Sequence, residues 1–170
     1  YVNPLETEPG VSGKLYRYKH VLPERPGWYT CACCPPNVVR LLMSLGKYLW
    51  SETEDGVYSH IPAGTEAHFD KMDVTVESNY PWDGRVIYHV TGKTEKETIL
   101  GIHIPSWVRP GSVQVRINGK EKNITADVEK GYLILKRVWE NDEVELVFPM
   151  KIRKIYANLK VREDAGCVAF

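Results

Sequence analysis

"KMDVTVESNYPWDGRVIYHVTG", residues 71–92, alternates apolar and polar side chains in two runs, with turn residues between them. Met72, Val74 and Val76 fall on one side of an extended chain, and Asp73, Thr75 and Glu77 fall on the other. In the second run Val86, Tyr88 and Val90 repeat the pattern. Successive side chains of a strand point to opposite faces, so a period of two marks a strand with one buried face. Two such strands joined by a short reversal form an antiparallel pair.

The pattern continues downstream. "ETILGIHIP" (97–105) offers Ile99 or Leu100, then Ile102 and Ile104, and "SVQVRINGK" (112–120) offers Val113, Val115 and Ile117. The latter ends in Asn118-Gly119, a strong two-residue hairpin signal. "GYLILKRVW" (131–139), "DEVELVFP" (142–149) and "MKIRKIYA" (150–157) complete the series. Short strands of even spacing, with no helices between them, predict a mainly β fold, an antiparallel β-sandwich or barrel. The alternation predicts a core of Val74, Val76, Val86, Tyr88, Ile102, Ile104, Val115, Ile117, Leu133, Leu135, Val144, Leu146 and Phe148. Trp82 and Trp107 flank turns and are expected to plug that core, with sugar stacking as the alternative.

Upstream the text changes. "PPNVVRLLMSLGKYLW" (35–50) carries Val38, Leu41, Leu42, Leu45, Tyr48 and Leu49 at helical spacing. Either Asn37 caps this helix or the two prolines occupy its first turn, where a missing N–H costs nothing. The helix is expected to run from about Asn37 to Trp50 and to end in the acidic turn "SETEDG" (51–56). Arg40, one turn in, is expected to make a structural ion pair. The apolar face needs a partner surface, because a lone helix of this length is marginal in water. Residues 1–30, with four prolines and three glycines, read as an irregular segment.

The whole chain has 170 residues, 43% apolar and 26% charged, with 22 basic against 22 acidic residues. Balanced charge without a basic cluster disfavours nucleic acid and anionic membranes as partners. No stretch of about 18 apolar residues offers a membrane span. A polar start without Met and a finish in mid-strand read as a piece of a longer protein. Clustered thiols favour a reducing compartment, the cytoplasm.

Three of the four cysteines lie in "YTCACCPPNVVR" (29–40), as Cys31, Cys33 and Cys34. Burial as small hydrophobes is one reading. A disulfide between neighbours would be strained, and a Cys-x-x-C redox motif lacks its βαβ setting. A metal site and a nucleophile remain, and the two are compatible. Zinc prefers four soft or borderline ligands, and these thiols supply only part of such a set. The histidines His20, His60, His68, His89 and His103 show no paired spacing and are expected to be surface or core residues. A thiol ahead of a helix start feels the positive end of the dipole, which favours the thiolate.

"CCPPNVVR", with "YVNPLE" before it and "YPWDGRV" and "IPSWVRPGSVQVRINGK" after it, resembles the bacterial β-L-arabinofuranosidases of glycoside hydrolase family 127 and the related family 146. The resemblance runs over all 170 residues. It implies that residues 1–50 are the end of a catalytic (α/α)6 barrel, to which the helix belongs, and that 51–170 form a β-sandwich domain. It also implies a retaining exo-enzyme acting on an arabinofuranoside-containing glycan. Zinc would be the cofactor, with Cys33 as nucleophile and ligand and Cys34 as a ligand. The remaining ligands and the acid/base would come from upstream Glu and Glu-x-Cys positions that Glu6 and Glu8 do not match. Cys31 is left to packing. Tyr1 and Asn3 are expected to line the sugar pocket, the chain alone to be inactive, and a homodimer to be one way of covering the helix. The competing reading is a non-catalytic β-sandwich module that supports a barrel or binds carbohydrate.

Overall fold

The structure, a computed structural model, describes residues 31, 33–124, 126–158 and 166–169. The irregular segment expected before residue 31 therefore lies outside the described residues. The chain divides into two compact units, Tyr1–Gly46 and Lys47–Phe170.

In the first unit, helix α1 spans Cys34–Met43, with Cys33 as N-cap and both prolines in the first turn. It stops sooner than the apolar periodicity predicts. The Ser44 N–H bonds back to the Leu41 carbonyl and the Leu45 N–H to that of Leu42, and the Ser44 hydroxyl donates to the Arg40 carbonyl at 2.7 Å. A single turn, α2 (Gly46–Leu49), follows. Trp50 is not helical but opens strand β1 (Trp50–Glu52), because its indole is drawn into the sandwich core against Phe69 and Tyr88. Ser51 and Glu52 are accordingly strand residues rather than a helix-ending turn. The side chains of α1 are exposed: Val38 by 56%, Leu41 by 49% and Leu42 by 62%.

The second unit is a two-sheet sandwich. One sheet holds β1, β2 (Gly56–Ser59), β6 (Thr98–His103), β10 (Tyr132–Arg137) and β9 (Val128–Glu129), in the order β1-β2-β6-β10-β9. The other holds β3 (Thr65–His68), β4 (Met72–Ser78), β5 (Arg85–Gly92), β11 (Asn141–Val147), β7 (Gln114–Ile117) and β8 (Lys120–Glu121), in the order β3-β4-β5-β11-β7-β8. The expected alternation is realised as cross-strand rows. Val76 pairs with Tyr88, Tyr88 with Val144, and Val144 with Ile117. Opposite them, Val57 pairs with Leu100 and Leu100 with Leu135. Every residue of the expected core is buried except Ile117, which is partly buried and packs against it. In "ETILGIHIP" it is Leu100, not Ile99, that keeps step with Ile102 and Ile104.

One neighbouring pair is parallel, against the antiparallel expectation: β2 runs alongside β6. A parallel pair needs a crossover connection, and a helix is the usual one. Here the opposing sheet serves instead, since the chain leaves β2, builds β3, β4 and β5 across the core, and returns as β6. The Asn118-Gly119 hairpin is present with both residues at positive φ, 51° and 74°. At Gly101 a side chain is excluded by contact, because a Cβ there would lie 2.3 Å from Cδ1 of Tyr58.

Among the described residues a buried polar contact, Ser59 Oγ to Tyr88 Oη at 3.0 Å, ties the sheets. Burial pushes the Tyr88 phenol well above its ordinary pKa, and the Ser59 bond offsets this only in part. Two expectations are corrected at the periphery. "MKIRKIYA" is not a strand: Pro149 follows the last residues of β11, and the segment's only described pairing is a bridge from Ile155 to Ala169. Trp82 is not a core plug but 84% exposed, carried outward by the turn between β4 and β5, while Trp107 does pack on the core beside Phe148.

Candidate functional site

The chemistry-bearing residues singled out in the sequence converge on the start of α1. Cys31, Cys33 and Cys34 are exposed, and none is in a disulfide, so burial as small hydrophobes does not account for them. Cys33 Sγ and Cys34 Sγ lie 3.8 Å apart. A tetrahedral metal with sulfur ligands at about 2.3 Å sets two such sulfurs about 3.8 Å from each other. The pair therefore has the spacing of two corners of a zinc tetrahedron. Among the described residues no group of three or more His, Cys, Asp or Glu could hold a metal.

Local sequence explains how the pair is displayed. Cys33 is the N-cap with φ −74° and ψ −29°, already helical, and its side chain makes no capping bond. Pro35 and Pro36 have no N–H to be capped. Asn37 sits where the first intrahelical bond closes. Its backbone N–H reaches the Cys33 carbonyl at 3.3 Å, and its side-chain Nδ2 donates to the same oxygen at 2.8 Å. The sequence suggests Asn37 only as a cap; the signal for this other role is an Asn four residues after Cys33, with Cys34 and two prolines between them. Arg40 makes no ion pair among the described residues, and the expected pairing is not found. Tyr1 and Asn3 lie outside the described residues.

Three of the histidines have partners within the sandwich unit. His68 pairs with Asp73 at 2.9 Å and His89 with Glu77 at 3.1 Å, both on the sandwich surface. His60 bridges Tyr132 Oη at 2.7 Å and Ser51 Oγ at 2.9 Å. Burial of its ring, and then the neighbouring His103, hold its pKa below the ordinary value.

The described residues thus form a two-sheet β-sandwich, preceded in the chain by a helix that displays adjacent thiols. Residues 56–150 match the family model described as the β-L-arabinofuranosidase GH127 middle domain, and the chain belongs to that family. It is 38% identical, over 99% of its length, to a non-reducing end β-L-arabinofuranosidase of Bifidobacterium longum subsp. longum, of which it covers 26%. The structure of a GH127 β-L-arabinofuranosidase from Geobacillus stearothermophilus T6 superposes with a TM-score of 0.84 at 41% identity, covering 99% of this chain and 27% of that one. A second GH127 β-arabinofuranosidase structure gives 0.72 at 34% identity, covering 85% of this chain and 26% of that one. The chain thus spans about a quarter of the length of these relatives.

Proposed function

We propose that this chain is the part of a retaining, exo-acting β-L-arabinofuranosidase that supplies the nucleophile. Cys33 attacks the sugar and Cys34 serves as a metal ligand. The observation that carries the reading is the exposed Cys33–Cys34 pair with its 3.8 Å sulfur separation, in a chain of this family. The zinc ion would be held by Cys33 and Cys34 together with groups from beyond this chain, and when bound it keeps thiols deprotonated at neutral pH. Such a cation is needed, because the helix start cannot do the same work. With prolines after Cys34, the first turn offers an anion few backbone donors. The dipole at an exposed terminus is worth about 0.3–1 kcal/mol, less than one pKa unit.

In the first step the Cys33 thiolate forms a bond to the anomeric carbon as the bond to the leaving oxygen breaks. That oxygen takes a proton from an acid outside this chain. In the second step water adds to the anomeric carbon from the face the aglycone left, giving its proton to the same group, now a base. The carbon–sulfur electron pair returns to Cys33. Two inversions give retention, the outcome that most such enzymes reach with a carboxylate nucleophile. Tyr1 and Asn3 are assigned to the sugar pocket, and the unbridged cysteines suit a reducing compartment such as the cytoplasm.

The test is mass spectrometry of the full-length protein after reaction with a mechanism-based arabinofuranosyl electrophile. Label on Cys33 is expected, and label on Cys34, Cys31 or a carboxylate overturns the assignment. Cys33→Ser should lower turnover by several orders of magnitude with the fold intact. A second reading, a non-catalytic supporting module, is favoured for residues 51–170 because the family model matched there is that of the middle domain alone. On either reading the 170-residue chain is inactive by itself on an aryl β-L-arabinofuranoside.

A further inference from the structure

We infer that Asn37 is the positioning residue of the thiol pair, an inference that rests on the roles proposed above for Cys33 and Cys34. A helix start is ordinarily secured when the N-cap side chain accepts from the backbone N–H of the second or third helical residue. Here those residues are Pro35 and Pro36, which have none, and Cys33 makes no capping bond. The start is instead held from inside the helix. Asn37 Nδ2 donates to the Cys33 carbonyl at 2.8 Å, closer than the 3.3 Å of its own backbone N–H to the same oxygen. A carbonyl oxygen has two lone pairs, so both bonds are accommodated.

The oxygen so held belongs to the peptide group that joins Cys33 to Cys34. That group is planar, and both cysteine Cα atoms lie in its plane. Anchoring its oxygen restrains that plane, and with it the two Cα atoms from which the thiols depart. One amide side chain thereby steadies the backbone that carries both sulfurs, which lie 3.8 Å apart. The contact is exposed, so it contributes little to the fold, and its role is to keep the pair in the geometry a metal needs.

Two variants of the full-length protein separate this role from helix capping. Asn37→Ala removes the side-chain donor. Asn37→Asp also removes it, yet keeps the shape and places in the first turn the negative charge that a helix start favours. Zinc affinity is measured by competition with a chromophoric chelator, and thiolate-to-cobalt charge-transfer absorption is recorded after metal exchange. Both variants are expected to lose about 10–100-fold in affinity, as supports of metal ligands do, and to show weakened charge transfer, with unchanged melting. In turnover the loss should fall on kcat and spare KM. Wild-type affinity in both variants, or in Asn37→Asp alone, would overturn the inference. Cys33→Ser and Cys34→Ser run alongside: if neither weakens zinc binding, the cysteine assignment itself falls, and this inference with it. If both do while the Asn37 variants do not, only the positioning role is lost.

Discussion

Deleting one oxygen from the middle of the sandwich, by Tyr88→Phe, tests how the two sheets are joined. Tyr88 is fully buried, and Ser59, 1% exposed, is its partner across the core. The change leaves the Ser59 hydroxyl buried without that partner, which costs about 1–3 kcal/mol at neutral pH. Ser59→Ala strands the phenol and should cost a similar amount. The double variant removes both polar groups and should be more stable than the sum of the single losses predicts. A second signature comes from pH. Burial raises the Tyr88 pKa in the folded state, so the neutral phenol is retained there while the unfolded chain ionises above about pH 10. This group's contribution is complete below that pH and is lost as pH rises toward the folded value. The wild type should therefore lose about 1.4 kcal/mol per pH unit above about pH 10 relative to Tyr88→Phe. By about pH 11.5 its advantage should have fallen by about 2 kcal/mol. Urea unfolding of the chain, followed by tryptophan fluorescence from pH 7 to 11.5, measures both effects. A stability difference between the two proteins that stays constant across that range would refute the reasoning.

Two further outcomes follow from packing. Gly101→Ala sets a methyl 2.3 Å from the Tyr58 ring and should cost about 1–3 kcal/mol, part of it recovered in a Tyr58→Ala background, as read by thermal melting. The exposed apolar face of α1 should drive the 170-residue chain to self-associate, and Leu42→Lys should reduce this; light scattering that finds the unmodified chain strictly monomeric at high concentration would contradict it.

The sandwich was legible because its strands each bury one face. Val74, Val76, Val86 and Tyr88 could be assigned to the core from period alone, and Asn118-Gly119 announced its turn through the positive φ both residues adopt. Pairing was less legible. Nothing in "GVYS" says that β2 will find β6, since a parallel neighbour is chosen by the path of the chain through the other sheet. The end of α1 was hidden for a different reason. Leu45, Tyr48 and Leu49 keep helical spacing, but Trp50 gains more from the core than from continuing the helix. Trp82 shows the limit of composition, because a tryptophan beside a turn reads alike whether it faces in or out. At the candidate site the thiols stood out by their clustering. Asn37 did not, because its side chain bonds to a carbonyl, and a single Asn in a first turn is read as a cap before it is read as a clamp.

The β2–β6 pairing has a consequence for the order in which the molecule assembles. Gly56 must meet Ile99, roughly forty residues further on, before β2 has its inner partner in the sheet. Closing a loop of that length costs about 3 kcal/mol in chain entropy beyond a constant, with no local contact to offset it in advance. β1 pairs with β2 across a short local reversal, so the two can join β6 as one hairpin. Hairpins such as β1–β2 and β4–β5 can form early, whereas the docking of β2 on β6 must wait for β6. The sheet that holds β1 and β2 is therefore completed only after β6 has been made.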